Sequence, residues 1–103
     1  MYKNQNINAL ENIEQNDTNV FLDVRTLTEY SDGHIEGSMN IDVMSESFTK
    51  KIESLNKDNN YFVICKSGGR SSTACNAMSE AGFSSISNME GGMMSWIGKI
   101  NTL

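Results

Sequence analysis

The sequence predicts an α/β domain in which one parallel sheet carries helices on both faces. Three observations predict it. Strand-like and helix-like segments alternate along the chain, and crossover connections of that kind leave neighbouring strands parallel. The two strongest strand segments, residues 20–24 and 61–64, are nearly continuous apolar runs, as expected of strands covered on both sides. A chain of 103 residues is long enough for one core and too short for two domains, so residues 1–103 read as one domain.

The elements follow in order. Asn8 is a candidate cap for a short helix with Leu10 and Ile13 on its apolar side, and residues 16–19 (Asn-Asp-Thr-Asn) form a turn cluster. Val20-Phe21-Leu22-Asp23-Val24 is a strand. Thr26 or Thr28 starts a brief helix that stops near Gly33. Met39-Asn40-Ile41 reads as a short strand. Phe48, Ile52 and Leu55 recur at i, i+4 and i+7, so an amphipathic helix is predicted over 45–56. After a turn at 58–60, Tyr61-Phe62-Val63-Ile64 is the clearest strand in the chain. Ser67-Gly68-Gly69 breaks it, a helix follows over 70–81, and Gly82 supplies a left-handed stop. A weaker strand spans 85–89. Gly91-Gly92 leads into a last helix on which Met93, Trp96, Ile97 and Ile100 fall at i, i+3, i+4 and i+7, a packing stripe rather than a cofactor site. In parallel sheets of this kind ligands bind beyond the carboxyl ends of the strands. The positions to inspect therefore follow Val24, Ile64 and Met89.

Eight Lys and Arg against thirteen Asp and Glu give a net charge of −5, which argues against nucleic acid as a partner. No apolar run is long enough to span a bilayer, and Met1 to Asn6 show no signal-peptide core, so a cytoplasmic protein without a membrane partner is expected. Two cysteines make no disulfide scaffold, and two cysteines with one histidine are too few ligands for a structural zinc site.

The chemistry concentrates at Cys65-Lys66-Ser67-Gly68-Gly69-Arg70-Ser71, where the strongest strand runs into a helix. Adjacent glycines let a loop turn several N–H groups inward as an anion nest, and the helix behind adds its positive end. Both favour a thiolate over a thiol. Lys66 and Arg70 add positive charge, and no Asp or Glu lies between Asp58 and Glu80. The plain alternative is a buried strand-end thiol beside a glycine turn. The pattern favours an activated nucleophile.

Cys65-Lys66-Ser67-Gly68-Gly69-Arg70 resembles the active-site loop of rhodanese-like sulfurtransferases. Two further stretches match that family in order and spacing. Leu22-Asp23-Val24-Arg25, Glu29-Tyr30, Gly33-His34-Ile35, Gly37-Ser38 and Asn40-Ile41 are similar to its N-terminal signature, with Ser38 where alanine is common. Glu90-Gly91-Gly92-Met93-Met94-Ser95-Trp96 is similar to its C-terminal one. The resemblance implies a five-stranded parallel sheet and a single-domain sulfurtransferase working through a Cys65 persulfide. It implies a small anionic donor such as thiosulfate, a thiophilic acceptor (cyanide or a thiol), a sulfur-carrier protein as a further candidate partner, and neither metal nor organic cofactor. Related phosphatases and arsenate reductases use a longer loop; Cys65 and Arg70 enclose four residues, which suits one terminal sulfur better than a tetrahedral oxyanion. The other reading is a redox or interaction module that carries persulfide without turnover.

Around the loop, Arg70 is expected to brace the loop through carbonyls or to bind the donor, and Lys66 to attract anions or simply to be solvated. Gly68 and Gly69 offer amides. Ser67 and Ser71 either hydrogen-bond the sulfur or cap the helix. By resemblance, Asp23 orders neighbouring loops and Arg25 pairs with Glu29. His34 orders the 33–37 turn. Met39, Met44, Met78 and Met89 are more readily core filling than an acceptor groove. Cys75 is expected to be structural, carried away from Cys65 by the helix.

Overall fold

A computed structural model describes residues 1–103. The strands are β1 (Lys3–Asn6), β2 (Asn19–Asp23), β3 (Met39–Asn40), β4 (Asn60–Ile64) and β5 (Ser85–Glu90), in the sheet order β1-β5-β4-β2-β3. Every pairing is parallel. The helices are α1 (Leu27–Asp32), α2 (Phe48–Glu53), α3 (Gly69–Glu80) and α4 (Gly92–Ser95), with a 3-10 turn over Ile7–Asn12. No helix is long and apolar enough to cross a membrane.

Strand alternation divides the core in two. Leu22, Val24, Tyr61, Val63, Cys65 and Ile86 face Phe48 and Ile52 of α2 and Ala74, Cys75 and Met78 of α3. Phe21, Ile64 and Met89 face Ile7 and Leu10 of the 3-10 turn and Ile35, with Met93 and Trp96 packed at the edge. Both faces of β2 and β4 are thus covered, which is why their sequences read as unbroken apolar runs.

Four elements depart from the sequence reading. β1 (Lys-Asn-Gln-Asn) pairs with β5 along the sheet edge; it buries almost nothing, so it carries no apolar pattern. Asn6, not Asn8, caps the 3-10 turn, accepting from the Asn8 N–H at 2.9 Å. α2 is confined to Phe48–Glu53 because Ser45 and Ser47 fold into a side-chain-bonded turn before it. α4 ends at Ser95, and Trp96 is extended. The Trp96 ring folds over Gly98, filling the space a side chain would need there, and its Nε1 donates to the Lys99 carbonyl at 3.0 Å. The tail then pairs with His34 through Asn101 and reaches Ser31 through the Leu103 N–H. Ile97 and Ile100 are consequently exposed, so only Met93 and Trp96 of the expected packing stripe pack against the core.

Candidate functional site

β2 and β4 run side by side, with Asp23 in register with Ile64. Their carboxyl ends therefore bring Asp23, Val24 and Arg25 beside Cys65. Immediately after Cys65 the chain turns through Lys66–Gly68 into α3. Gly68, at the N-cap, has φ +113°, a conformation that disfavours any side chain. That turn aims the Gly68 N–H at Cys65 Sγ, 2.9 Å away. The Cys65 thiol donates to Ser71 Oγ at 3.3 Å. Cys65 is 1% exposed, so the sulfur lies at the floor of the loop.

These contacts decide its acidity. Burial pushes the Cys65 thiol up, but hydrogen bonding with the Ser71 hydroxyl and with the Ser71, Gly68 and Ser67 amides outweighs it, and the net shift is downward. Ser71 is fully buried and lies at the centre of the local network. Its hydroxyl contacts Cys65 Sγ, the Gly68 carbonyl at 3.0 Å and Asn88 Oδ1. Of the two roles expected of Ser71, contact with the sulfur is present, and the helix N-cap position is occupied by Gly68. Ser67 and Lys66 are exposed on the loop, and Gly69 opens α3 with free space around it.

Arg70 is placed differently from either expectation. It forms a two-pronged pair with Glu29, Nη1 to Oε1 at 2.6 Å and Nη2 to Oε2 at 2.8 Å. Glu29 simultaneously closes the capping box of α1 with Thr26. Glu29 is held down to a pKa of about 2, chiefly by the Arg70 hydrogen bonds, against the opposing effect of burial. Arg70 thus fastens the loop to α1 rather than to carbonyls. Glu29 is not the partner of Arg25: that guanidinium lies on Asp23, with Nη2–Oδ2 at 2.7 Å, and reaches the Gly33 carbonyl at 2.7 Å. Asp23 is fully buried, and the short loop to Arg25 brings their side chains together before α1 begins. Through the Gly33 carbonyl, the pair joins the end of β2 to the end of α1. His34 stacks on Tyr30 at 3.9 Å and its Nδ1 contacts the Tyr30 carbonyl at 2.7 Å, ordering the turn after α1.

The second glycine pair closes the other side. Gly92, at φ +57°, lies so close to the loop that a Cβ would meet Cys65 O at 2.4 Å and Lys66 O at 2.5 Å. The Met93 and Met94 N–H groups donate to those two carbonyls, each at 2.9 Å. A cleft of about 310 Å³, lined by Arg25, Glu29, Asp32, Lys66, Met93 and Met94, opens beside the loop. Met78 and Met89 are core, whereas Met39 and Met44 are exposed. Cys75 is fully buried and pushed up to about 12, by burial first and by the nearby Cys65 charge second. It belongs to the same apolar cluster as Cys65 and feels the Cys65 charge. Both are free. Sequence reasoning missed Asn88, a buried polar residue on the α3 side of β5; the available signal was an asparagine interrupting an otherwise core-facing strand.

The sequence profile of the rhodanese-like domain matches residues 7–99. The chain belongs to the rhodanese-like domain family. This rhodanese-like domain is 38% identical over 89 residues to a Bacillus subtilis protein named "Putative sulfurtransferase YtwF", covering 86% of the chain and 84% of that protein. It is 33% identical over 89 residues to the same organism's "Putative sulfur carrier protein YrkF", covering 86% of the chain but 47% of that longer protein. Among solved structures it is similar to a rhodanese-related protein from Thermoplasma volcanium, with TM-score 0.84, 33% identity, and coverage of 99% of this chain and 100% of that one. The five-stranded parallel sheet is the architecture that the family resemblance implied.

Proposed function

We propose that this rhodanese-like domain is a sulfurtransferase that moves sulfane sulfur from a donor such as thiosulfate to a thiophilic acceptor through a persulfide on Cys65. The observation that carries the reading is that the Gly68 N–H donates to Cys65 Sγ while the Ser71 hydroxyl lies in hydrogen-bond contact with it. These groups stabilise a thiolate and leave amides to receive the next sulfur along. The Cys65 thiolate attacks the outer sulfur of thiosulfate. A new S–S bond forms, the old one breaks, and its electron pair leaves with sulfite. Cyanide or a thiolate then attacks the terminal sulfur, and the Cys65 thiolate departs with the electron pair of the broken bond. Lys66, exposed at the rim, draws the anionic donor; Arg70 acts by holding the loop. The cleft beside Lys66 is the approach for donor and acceptor.

The test is intact mass after incubation with thiosulfate. Wild type is expected to gain one sulfur atom, removable by cyanide or a reductant, and Cys65→Ser to gain none. Sulfane sulfur retained by Cys65→Ser would refute the role of Cys65. A second reading, a persulfide carrier that hands its sulfur to a partner protein, is favoured by the relative named as a sulfur carrier. Mass gain without multiple turnovers in the presence of cyanide would select it.

A further inference from the structure

The Ser71 hydroxyl has one proton and three acceptors around it: Cys65 Sγ, the Gly68 carbonyl and Asn88 Oδ1. In the arrangement present, the proton is shared between Asn88 Oδ1 and the Gly68 carbonyl and the Ser71 lone pairs face the sulfur, so Cys65 is the donor and hence a thiol. A thiolate in the same place would face oxygen lone pairs. It needs the Ser71 hydroxyl turned toward it, and that turn would leave Asn88 Oδ1 without its donor in a buried site, at a desolvation cost. Asn88 is 4% exposed and lies on the same side of β5 as Ile86. Its Nδ2 donates to Asn4 Oδ1 at 3.0 Å and to Ser72 Oγ at 3.2 Å. An asparagine side chain can resolve the conflict, because its two ends are nearly the same shape and opposite in hydrogen-bond polarity.

We propose that Asn88 is a positioning residue for Cys65, its amide setting which way the Ser71 hydroxyl points and so whether the sulfur is held as thiol or thiolate. With Oδ1 toward Ser71, the chain of bonds runs from Cys65 to Ser71 to Asn88 and stabilises the thiol. With the amide turned over, Nδ2 donates to Ser71 Oγ and the Ser71 hydroxyl donates to the Cys65 thiolate. Asn88 Oδ1 then accepts from the Ser72 hydroxyl and from Asn4, whose exposed amide turns freely. The only proton released is that of Cys65, to solvent; the bonds among Ser71, Asn88, Ser72 and Asn4 reverse direction, and the Gly68 carbonyl gives up the Ser71 and Ser72 hydroxyls but keeps the Ser72 N–H. The other charged or titratable groups near Cys65 are Lys66, exposed on the loop, Arg70 at the start of α3, which is paired with Glu29 on α1 and also feels Asp42 after β3, and Cys75 on α3. None of their side chains hydrogen-bonds to the Ser71 hydroxyl or the Asn88 amide, so the relay is separable from them.

The inference rests on Cys65 as the nucleophile, and its test does not use sulfur transfer. The measurement is the pH profile of Cys65 alkylation, located by peptide mapping. Asn88→Asp keeps the shape but, once ionised, only accepts hydrogen bonds. It is expected to raise the Cys65 midpoint by about one pH unit or more, a roughly tenfold loss of thiolate at fixed pH below the midpoint. In a Ser71→Ala background the same change should raise it by less than half as much. A rise that persists in full without Ser71 would show direct charge repulsion and overturn the relay, as would an unmoved midpoint in Asn88→Asp. Should Asn88→Asp fail to fold, the wild-type protein suffices. The Asn88 side-chain amide resonances should titrate with the Cys65 midpoint, and should lose that response in Ser71→Ala. Amide resonances that ignore the Cys65 midpoint overturn the proposal. Thiosulfate uptake by wild type, measured separately, distinguishes failure of the relay from failure of the Cys65 assignment.

Discussion

Replacing Gly92 by alanine should separate the active loop from its support. An alanine Cβ at this position would lie 2.4 Å from Cys65 O and 2.5 Å from the Lys66 carbonyl carbon and oxygen, all backbone atoms that cannot rotate aside. Ordinary contact begins at 3.4 Å, so the two segments must part by about 1 Å on the scale of normal packing. Overpacking of this kind costs about 1–3 kcal/mol. The left-handed backbone at φ +57° adds about 1–2 kcal/mol for a residue with a Cβ. The expected loss, about 2–5 kcal/mol, is a large share of the roughly 5–15 kcal/mol that a domain possesses. The parting also stretches the Met93 and Met94 N–H bonds to the Cys65 and Lys66 carbonyls, so the sulfur cradle should deform with the loss of stability. Urea denaturation should show a midpoint lower by about 1 M or more, and thiosulfate loading of Cys65 should fall under conditions where the variant is still folded. Gly69→Ala is the control: nothing lies within 4 Å and its backbone is helical, so stability should be unchanged or raised by up to about 1 kcal/mol. A Gly92→Ala protein with wild-type midpoint and wild-type loading would refute the close-approach reading.

Three further outcomes are expected. The Glu29–Arg70 pair depresses the folded Glu29 pKa from 4.5 to about 2, so its contribution is complete above pH 4.5 and is lost as pH falls through 2. At neutral pH, Glu29→Gln should cost about 1 kcal/mol, since both side chains are roughly 30% exposed and solvent screens the pair; urea titrations of the two proteins should converge toward pH 2, and a gap that widens on acidification would count against the assignment. Arg25→Met leaves the fully buried Asp23 without its cation and should destabilise by about 3–5 kcal/mol, with Asp23→Asn/Arg25→Met costing less than the single change; a loss below about 1 kcal/mol would show that the pair is not a structural tie. Cys75→Ala should keep turnover with a stability loss of about 1 kcal/mol, and native protein should resist alkylation at Cys75, whose thiol is pushed up to about 12; lost turnover together with a Cys65–Cys75 disulfide after peroxide would establish a redox relay instead.

What was legible in the sequence follows the physics of burial. β2 and β4 announce themselves because both faces must be apolar, and α3 because glycines bound it at Gly69 and Gly82. The capping box of α1 is legible in Thr26 and Glu29. β1 is not legible: an edge strand held by backbone bonds to β5 needs no apolar side chain, and Lys-Asn-Gln-Asn reads as polar coil. The end of α4 escapes for the opposite reason. A helical apolar period continues through Ile97 and Ile100, but Trp96 turning onto Gly98 and the backbone pairing of Asn101 with His34 outweigh local periodicity. At the site, the cysteine and its glycine loop stand out because their spacing is local. The partners that fix them, Glu29 for Arg70 and Asn88 for Ser71, lie 41 and 17 residues away in sequence, and only the sheet order brings them together.

That long-range pairing changes how the acidity of Cys65 should be understood. From sequence, Lys66 and Arg70 look like charges placed to favour a thiolate. In the fold, Arg70 is neutralised by Glu29 and Arg25 by Asp23, so two of the three cations near the loop are already spent on holding α1 and β2 in place. Lys66 remains, exposed at the rim, where water screens it. The downward shift at Cys65 therefore comes from oriented dipoles, the Ser71 hydroxyl and the Ser71, Gly68 and Ser67 amides, acting at hydrogen-bond range in a buried site. Such dipoles are strongest where solvent is excluded, which reconciles a thiol that is almost wholly buried with one that is more acidic than a free thiol. Because dipoles depend on angle and distance far more steeply than a screened charge does, the salt bridges act on the chemistry indirectly. They hold the loop still, and a still loop is what keeps its N–H groups aimed at the sulfur.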